Sequence, residues 1–84
     1  MIDFDAKKGR LNSLAELLDG EMRSAADIAR KYREKHRKSI PTKIALLNLL
    51  ELHAWASEGK IEINSVIRFS PTSSGYVFWK EEKK

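Results

Sequence analysis

The residues able to do covalent or metal chemistry are few and badly spaced for it. His36 and His53 stand seventeen positions apart, cysteine is absent, and no His-x-x-x-His pair occurs, so no metal-ligand set forms. Ser73 and Ser74 precede Gly75 without the pattern of a nucleophile elbow, and neither histidine is placed to serve them as a base. The acidic residues come singly, without the paired spacing of a nuclease or glycosidase, and no glycine-rich loop would cradle a phosphate. These absences predict a protein that is not an enzyme and needs no cofactor. What the residues can do is hold an anion. Arg30, Lys31, Arg33, Lys35, Arg37 and Lys38 crowd around one acid, Glu34, a charge pattern suited to a polyanion. Cations at a helix end also offset the macrodipole, but that accounts for two or three of them and not six.

The charge is uneven along the chain. Its 84 residues carry a net charge of +4, and residues 1–42 hold ten Lys/Arg and seven Asp/Glu against six and five in residues 43–84. At this length, with 42% apolar residues, one domain with one small core is expected over 1–84, with 1–9 and 81–84 flexible. No apolar run is long enough to span a membrane, and the acidic start Met-Ile-Asp-Phe-Asp does not suit a signal peptide, which predicts a cytoplasmic setting. Without disulfides or metal such a core is marginal, so pairing with a second copy is a natural source of stability.

Several elements are legible. Leu11, Leu14, Ala15 and Leu18 recur at helical spacing, with Leu17 widening the stripe. Gly9 should interrupt any earlier helix; Ser13 and Glu16 match a capping box, and Asp19-Gly20 supplies a stop. Ser24 is a good N-cap, with Asp27 on the first turn and Ala25, Ile28, Ala29 and Tyr32 on one face of a second helix that fades into charge beyond Tyr32. Pro41 suits the first turn of a third helix running to Glu58, with Ser39 as its cap. Ten of the sixteen residues from Lys43 to Glu58 are apolar, which predicts burial on more than one side. Gly59 ends it. Lys60–Ser70 alternates as a strand, broken at Val66; Ser70–Gly75 reads as a loop, and Tyr76–Lys80 as the returning strand.

Ser24-Ala-Ala-Asp-Ile-Ala-Arg-Lys-Tyr32 resembles the first helix of a helix-turn-helix, and Glu58-Gly-Lys-Ile-Glu-Ile63 the exit from its second helix into a wing. Together they are similar to the winged-helix superfamily over most of the chain. The resemblance implies an α+β fold of three helices followed by a two- to three-stranded antiparallel wing, with a brief strand near Met22. It also implies that the start of the third helix meets the DNA major groove, through Ser39, Thr42, Lys43 and Asn48 with Leu46 between them. Arg68 and the wing Ser70–Gly75 would reach the backbone or minor groove, and Lys7, Lys8 and Arg10 would form a flexible arm. Arg30, Arg33, Lys35, Arg37 and Lys38 complete the expected contact set.

Two functions follow. The first is DNA binding by a small, dimeric transcriptional regulator, in which Leu46, Leu49, Leu50, Leu52 and Trp55 meet their own copies. The alternative is a protein-interaction module, an adaptor or an inhibitor encoded by a phage, virus or plasmid. The apolar third helix, the cation-free wing tip and the long stretch between Tyr32 and Pro41 suit that alternative. RNA binding through the basic segment and Tyr76, Phe78 and Trp79 fits less well, since these aromatics alternate faces.

Overall fold

The computed structural model describes residues 4–82 and orders them as α1 (Phe4–Leu17), β1 (Arg23–Ser24), α2 (Ala25–His36), α3 (Thr42–Ser57), β2 (Ser65–Thr72) and β3 (Gly75–Glu82). This is the α+β winged-helix layout, three helices followed by a strand wing. The antiparallel sheet has the order β1-β3-β2, so the two-residue β1 lies against β3 on the side away from β2. Arg23 pairs with Phe78, and Lys80 donates its amide to the Asp19 carbonyl at 2.7 Å, which ties the segment before α2 to the wing.

Each junction has a local cause. The Asp27 amide donates to Ser24 Oγ at 3.1 Å, the N-cap expected for α2. Gly59 (φ 76°) closes α3: its amide reaches the Ala56 carbonyl at 3.3 Å and the Lys60 amide reaches Trp55 at 2.9 Å, the two bonds of a Schellman motif. Proline has no N–H, so the Pro71↔Tyr76 pair must be a non-hydrogen-bonded one, with the Pro71 nitrogen turned to the open edge of β2.

Other boundaries differ from those expected. The first helix begins at Phe4, not Ser13, because Gly9 is accommodated within it and Ser13 Oγ donates back to the Gly9 carbonyl at 3.0 Å instead of capping. Lys7, Lys8 and Arg10 therefore ride on a helix and form no flexible arm. The second helix continues to His36, where Arg37 takes a left-handed conformation. Pro41, not Ser39, is the N-cap of α3. Residues 60–64 are not strand, although Ile61 is buried; the ladder starts at Ser65 and runs through Thr72, which shrinks the wing loop to Ser73-Ser74. Glu81 and Glu82 belong to β3, while the remaining parts of the expected flexible ends, 1–3 and 83–84, lie outside the described residues.

The core gathers Leu11, Leu14, Ile28, Leu49, Leu52 and Phe78, all fully buried, and α3 touches α1, α2 and β2. Each such side chain contributes on the order of 1.5–3 kcal/mol. This overturns the expectation that α3 keeps five residues for a second copy. Leu49 and Leu52 lie inside the domain, Leu46 and Leu50 are packed against the core, and half-buried Trp55 has the ammonium groups of Lys7 and Lys60 over its ring at 5.6 and 5.9 Å.

Two tests follow. An added Cβ at Gly9 meets nothing within 4 Å, so Gly9→Ala should raise unfolding free energy by about 0.5–1 kcal/mol in a urea titration. Hydrogen bonds from the Arg23 guanidinium hold the Asp19 carboxyl below its usual range, and those from Trp79 and then Arg68 do the same for Glu81. The folded chain thus binds protons less readily than the unfolded one at these groups. Their contribution is complete above the ordinary carboxylate values near pH ~4 and is lost as pH falls through the lower folded values. Arg23→Gln should make the acid decline of the melting temperature shallower while lowering it at pH 7.

Candidate nucleic-acid interface

The phase of α3 is set by its inner face, Ala45, Asn48, Leu49 and Leu52. At about 100° per residue the opposite face carries Lys43, Leu47 and Ala54, with Leu50 at its edge half-buried against the core. Thr42 and Lys43 are exposed, as are Ile44 (39%) and Leu47 (52%). Asn48 does not belong to this surface. It is 7% exposed and its Nδ2 donates to the Ile44 carbonyl at 2.9 Å, so it cannot read a base edge from where it stands. Ile44 and Leu47 are the residues that pattern reading passed over. On a helix so apolar only the position of the core face distinguishes the wet residues from the dry ones.

The start of α3 is open. Its N-cap, Pro41, offers no side-chain acceptor to the first amides, which remain free to meet an anion. Arg30, Arg33, Ser39 and Thr42 line a shallow furrow beside it, with Ala26 and Ala29 as its small-residue floor. The furrow continues at one end past Arg33 to Glu34 and Arg37. At the other end Ala26 and Thr42 lead into a hollow bounded by Ser24, Leu46, Thr72, Ser74 and Tyr76. Three hollows that share lining residues thus adjoin one another from the end of α2, across the start of α3, to the tip of the wing.

Six of the described cations stand in ion pairs; of the other eight, Lys8, Arg10, Lys31 and Lys80 are scattered over α1, α2 and β3, and four lie together. Arg23 donates to Asp19 (2.8 Å), Glu21 (3.1 Å) and Asp27 (3.1 Å), and Asp27 is shared with Arg30. Lys7 pairs with Glu51, Lys35 with Glu16, Lys60 with Glu58 and Arg68 with Glu81. Arg33, Arg37, Lys38 and Lys43 pair with no carboxylate among the described residues, and all four are exposed around the α2–α3 connection. Two members of the expected contact set therefore lie elsewhere: Lys35 bridges to α1 through Glu16, and Arg68 holds Glu81 at the base of the wing, away from its tip.

The wing is braced against α3 by its aromatics. Phe69 meets the His53 ring edge-on at 4.8 Å and the Tyr76 ring at 5.8 Å, while Phe78 is fully buried. Trp79 faces the other way and donates to Glu81 at 3.2 Å, so the three β3 aromatics form no common stacking surface. Among the described residues no group of three His, Cys, Asp or Glu comes together that could hold a metal ion, and no helix is long and apolar enough to cross a membrane. No protein-family model matches the chain, and no curated protein or solved structure is significantly similar to it.

Arg37 is the one non-glycine residue with positive φ among those described (φ 59°, ψ 26°), and its amide donates to the Arg33 carbonyl at 2.9 Å. That conformation costs an L-residue about 1–2 kcal/mol, and glycine would return part of the gain, roughly 0.5–1 kcal/mol, through its unfolded-state entropy. Arg37→Gly should therefore stabilise the fold by about 0.5–1 kcal/mol, read as a higher denaturation midpoint.

Proposed function

We propose that this chain is a winged-helix DNA-binding protein, a small transcriptional regulator that engages duplex DNA with the start of α3, the groove beside it and the tip of the wing. One observation carries the reading. Arg33, Arg37, Lys38 and Lys43 are all exposed, have no carboxylate partner among the described residues and gather around one uncapped helix start, whereas the other unmatched cations, Lys8, Arg10, Lys31 and Lys80, are scattered over α1, α2 and β3. Unpaired guanidinium and ammonium groups beside free amides suit a phosphate backbone, which they would contact on either side of α3. The hydroxyls of Ser39, Thr42 and Ser74 extend that contact toward the wing, which would sit over the adjacent stretch of backbone.

A second reading is favoured by a different observation. Ile44, Leu47, Phe69 and Tyr76 expose apolar surface on α3 and the wing, which a protein partner would bury. The two readings part on salt. For a duplex ligand, each phosphate contact released with its counterions adds about −0.9 to the slope of log affinity against log salt. Titration of a random-sequence duplex by fluorescence anisotropy across a range of salt should give a steep slope. Replacing Arg33, Arg37 and Lys38 together with Ala should flatten it by about two to three units and weaken all sequences alike. A duplex affinity that ignores both salt and this triple variant would leave the protein partner as the function.

A further inference from the structure

We infer that α3 discriminates between duplexes by the 5-methyl groups of their pyrimidines, and that Leu47 is the residue that does so; this rests on the DNA reading above. The surface that would face the groove contains almost nothing able to exchange hydrogen bonds with a base. Asn48 is turned inward and spent on the Ile44 carbonyl, and Glu51 on the flank is held by Lys7. Thr42 and Lys43 stand at the helix start, where backbone contact is closest. Beyond them the outward positions are Leu47 and Ala54, with Ile44 beside them.

A leucine offers neither donor nor acceptor. Pressed against a purine edge or an unmethylated cytosine, it would strip water from polar atoms and replace none of their hydrogen bonds. The one apolar group that a base pair presents in the major groove is the C5-methyl of thymine. Against that methyl, the 52%-exposed Leu47 side chain loses apolar surface to water at no such cost. The charges around the face suit a duplex occupant, since Lys43 lies one turn before Leu47 and Arg33, Arg37 and Lys38 border the same end of the helix. Methylcytosine carries its methyl at the same ring position, so it belongs to the same ligand class.

The test uses the full chain and four duplexes of matched length at one salt concentration. These are an A·T-containing duplex, the same duplex with deoxyuridine for every thymidine, a G·C duplex, and the same with 5-methylcytosine for cytosine. The thymidine duplex should bind at least about fourfold more tightly than its deoxyuridine twin, the effect of one buried methyl, and methylcytosine should gain a similar factor. Leu47→Ala, at an exposed position, should erase both differences while leaving the salt slope and far-UV circular dichroism unchanged. Equal affinity for thymidine and deoxyuridine duplexes with a steep salt slope would overturn the methyl assignment and leave DNA binding standing. A thymidine preference that survives Leu47→Ala would come from duplex shape and would overturn the role of Leu47. Failure to bind any of the four would overturn the inference together with the DNA reading, and would leave this face to a protein.

Discussion

Everything outward in this domain depends on which stripe of α3 is buried. Ala45, Leu49 and Leu52 are wholly enclosed, and α1, α2 and β2 each pack against the helix that carries them. In a domain this small, three packed neighbours consume most of an apolar helix. Because successive residues are turned by about 100°, fixing that stripe also fixes its opposite, and Lys43 and Leu47 have no freedom to face elsewhere. The edge-on contact of His53 with Phe69 then sets where the hairpin stands relative to α3, and the pairing of β1 with β3 sets where α2 begins. One packing decision therefore orients helix, wing and turn together.

The electrostatics follow the same division. Exposed pairs such as Lys35–Glu16 or Lys60–Glu58 contribute little to stability, with a typical worth near 0–1 kcal/mol. Their larger effect is on the field: where a carboxylate sits beside a cation, the two cancel at a distance. Around the α2–α3 connection no such cancellation occurs for Arg33, Arg37, Lys38 and Lys43, so four of the eight described cations without an ion pair are concentrated there. The left-handed Arg37 belongs to this region. Glycine is the usual residue for that conformation, and an arginine there keeps a guanidinium at the cost of some backbone strain.

Much of this was legible in the sequence, and what was missed has identifiable causes. The Ser24 cap with its Asp27 partner, the Gly59 stop and the returning strand at Tyr76 are all signalled by local chemistry, whereas the short strand before α2 was expected only from the winged-helix resemblance. The start of α1 was misplaced because a lone glycine in a helix costs only about a kcal/mol, which packing of Leu11, Leu14 and Leu18 easily outweighs. The strand expected at Lys60 fails because burying Ile61 does not require pairing it. The cation cluster was visible as composition, but which cations are free depends on carboxylates distant in sequence, such as Glu16 for Lys35 and Glu81 for Arg68. No pattern in the chain predicts those partners. Asn48 shows the limit most clearly: on a helix without a polar face, the sequence offers its side chain to the groove or to solvent, and the packing turns it instead onto the Ile44 carbonyl of its own helix.

The same packing bears on which ligand the exposed face suits. Had Leu46, Leu49, Leu50, Leu52 and Trp55 been available together, the surplus apolar area would have called for a second protein surface to cover it. The domain covers most of it alone, and what remains outward on α3 is a narrow line of Ile44 and Leu47 bordered at its start by Lys43. An extended hydrophobic interface draws its energy from a broad buried centre with its charges at the rim. A groove-inserted helix has the other geometry, a thin contact line between two flanks of phosphate. The width of the exposed stripe, and the unmatched cations beside it, are what place DNA ahead of a protein as the partner proposed for this helix.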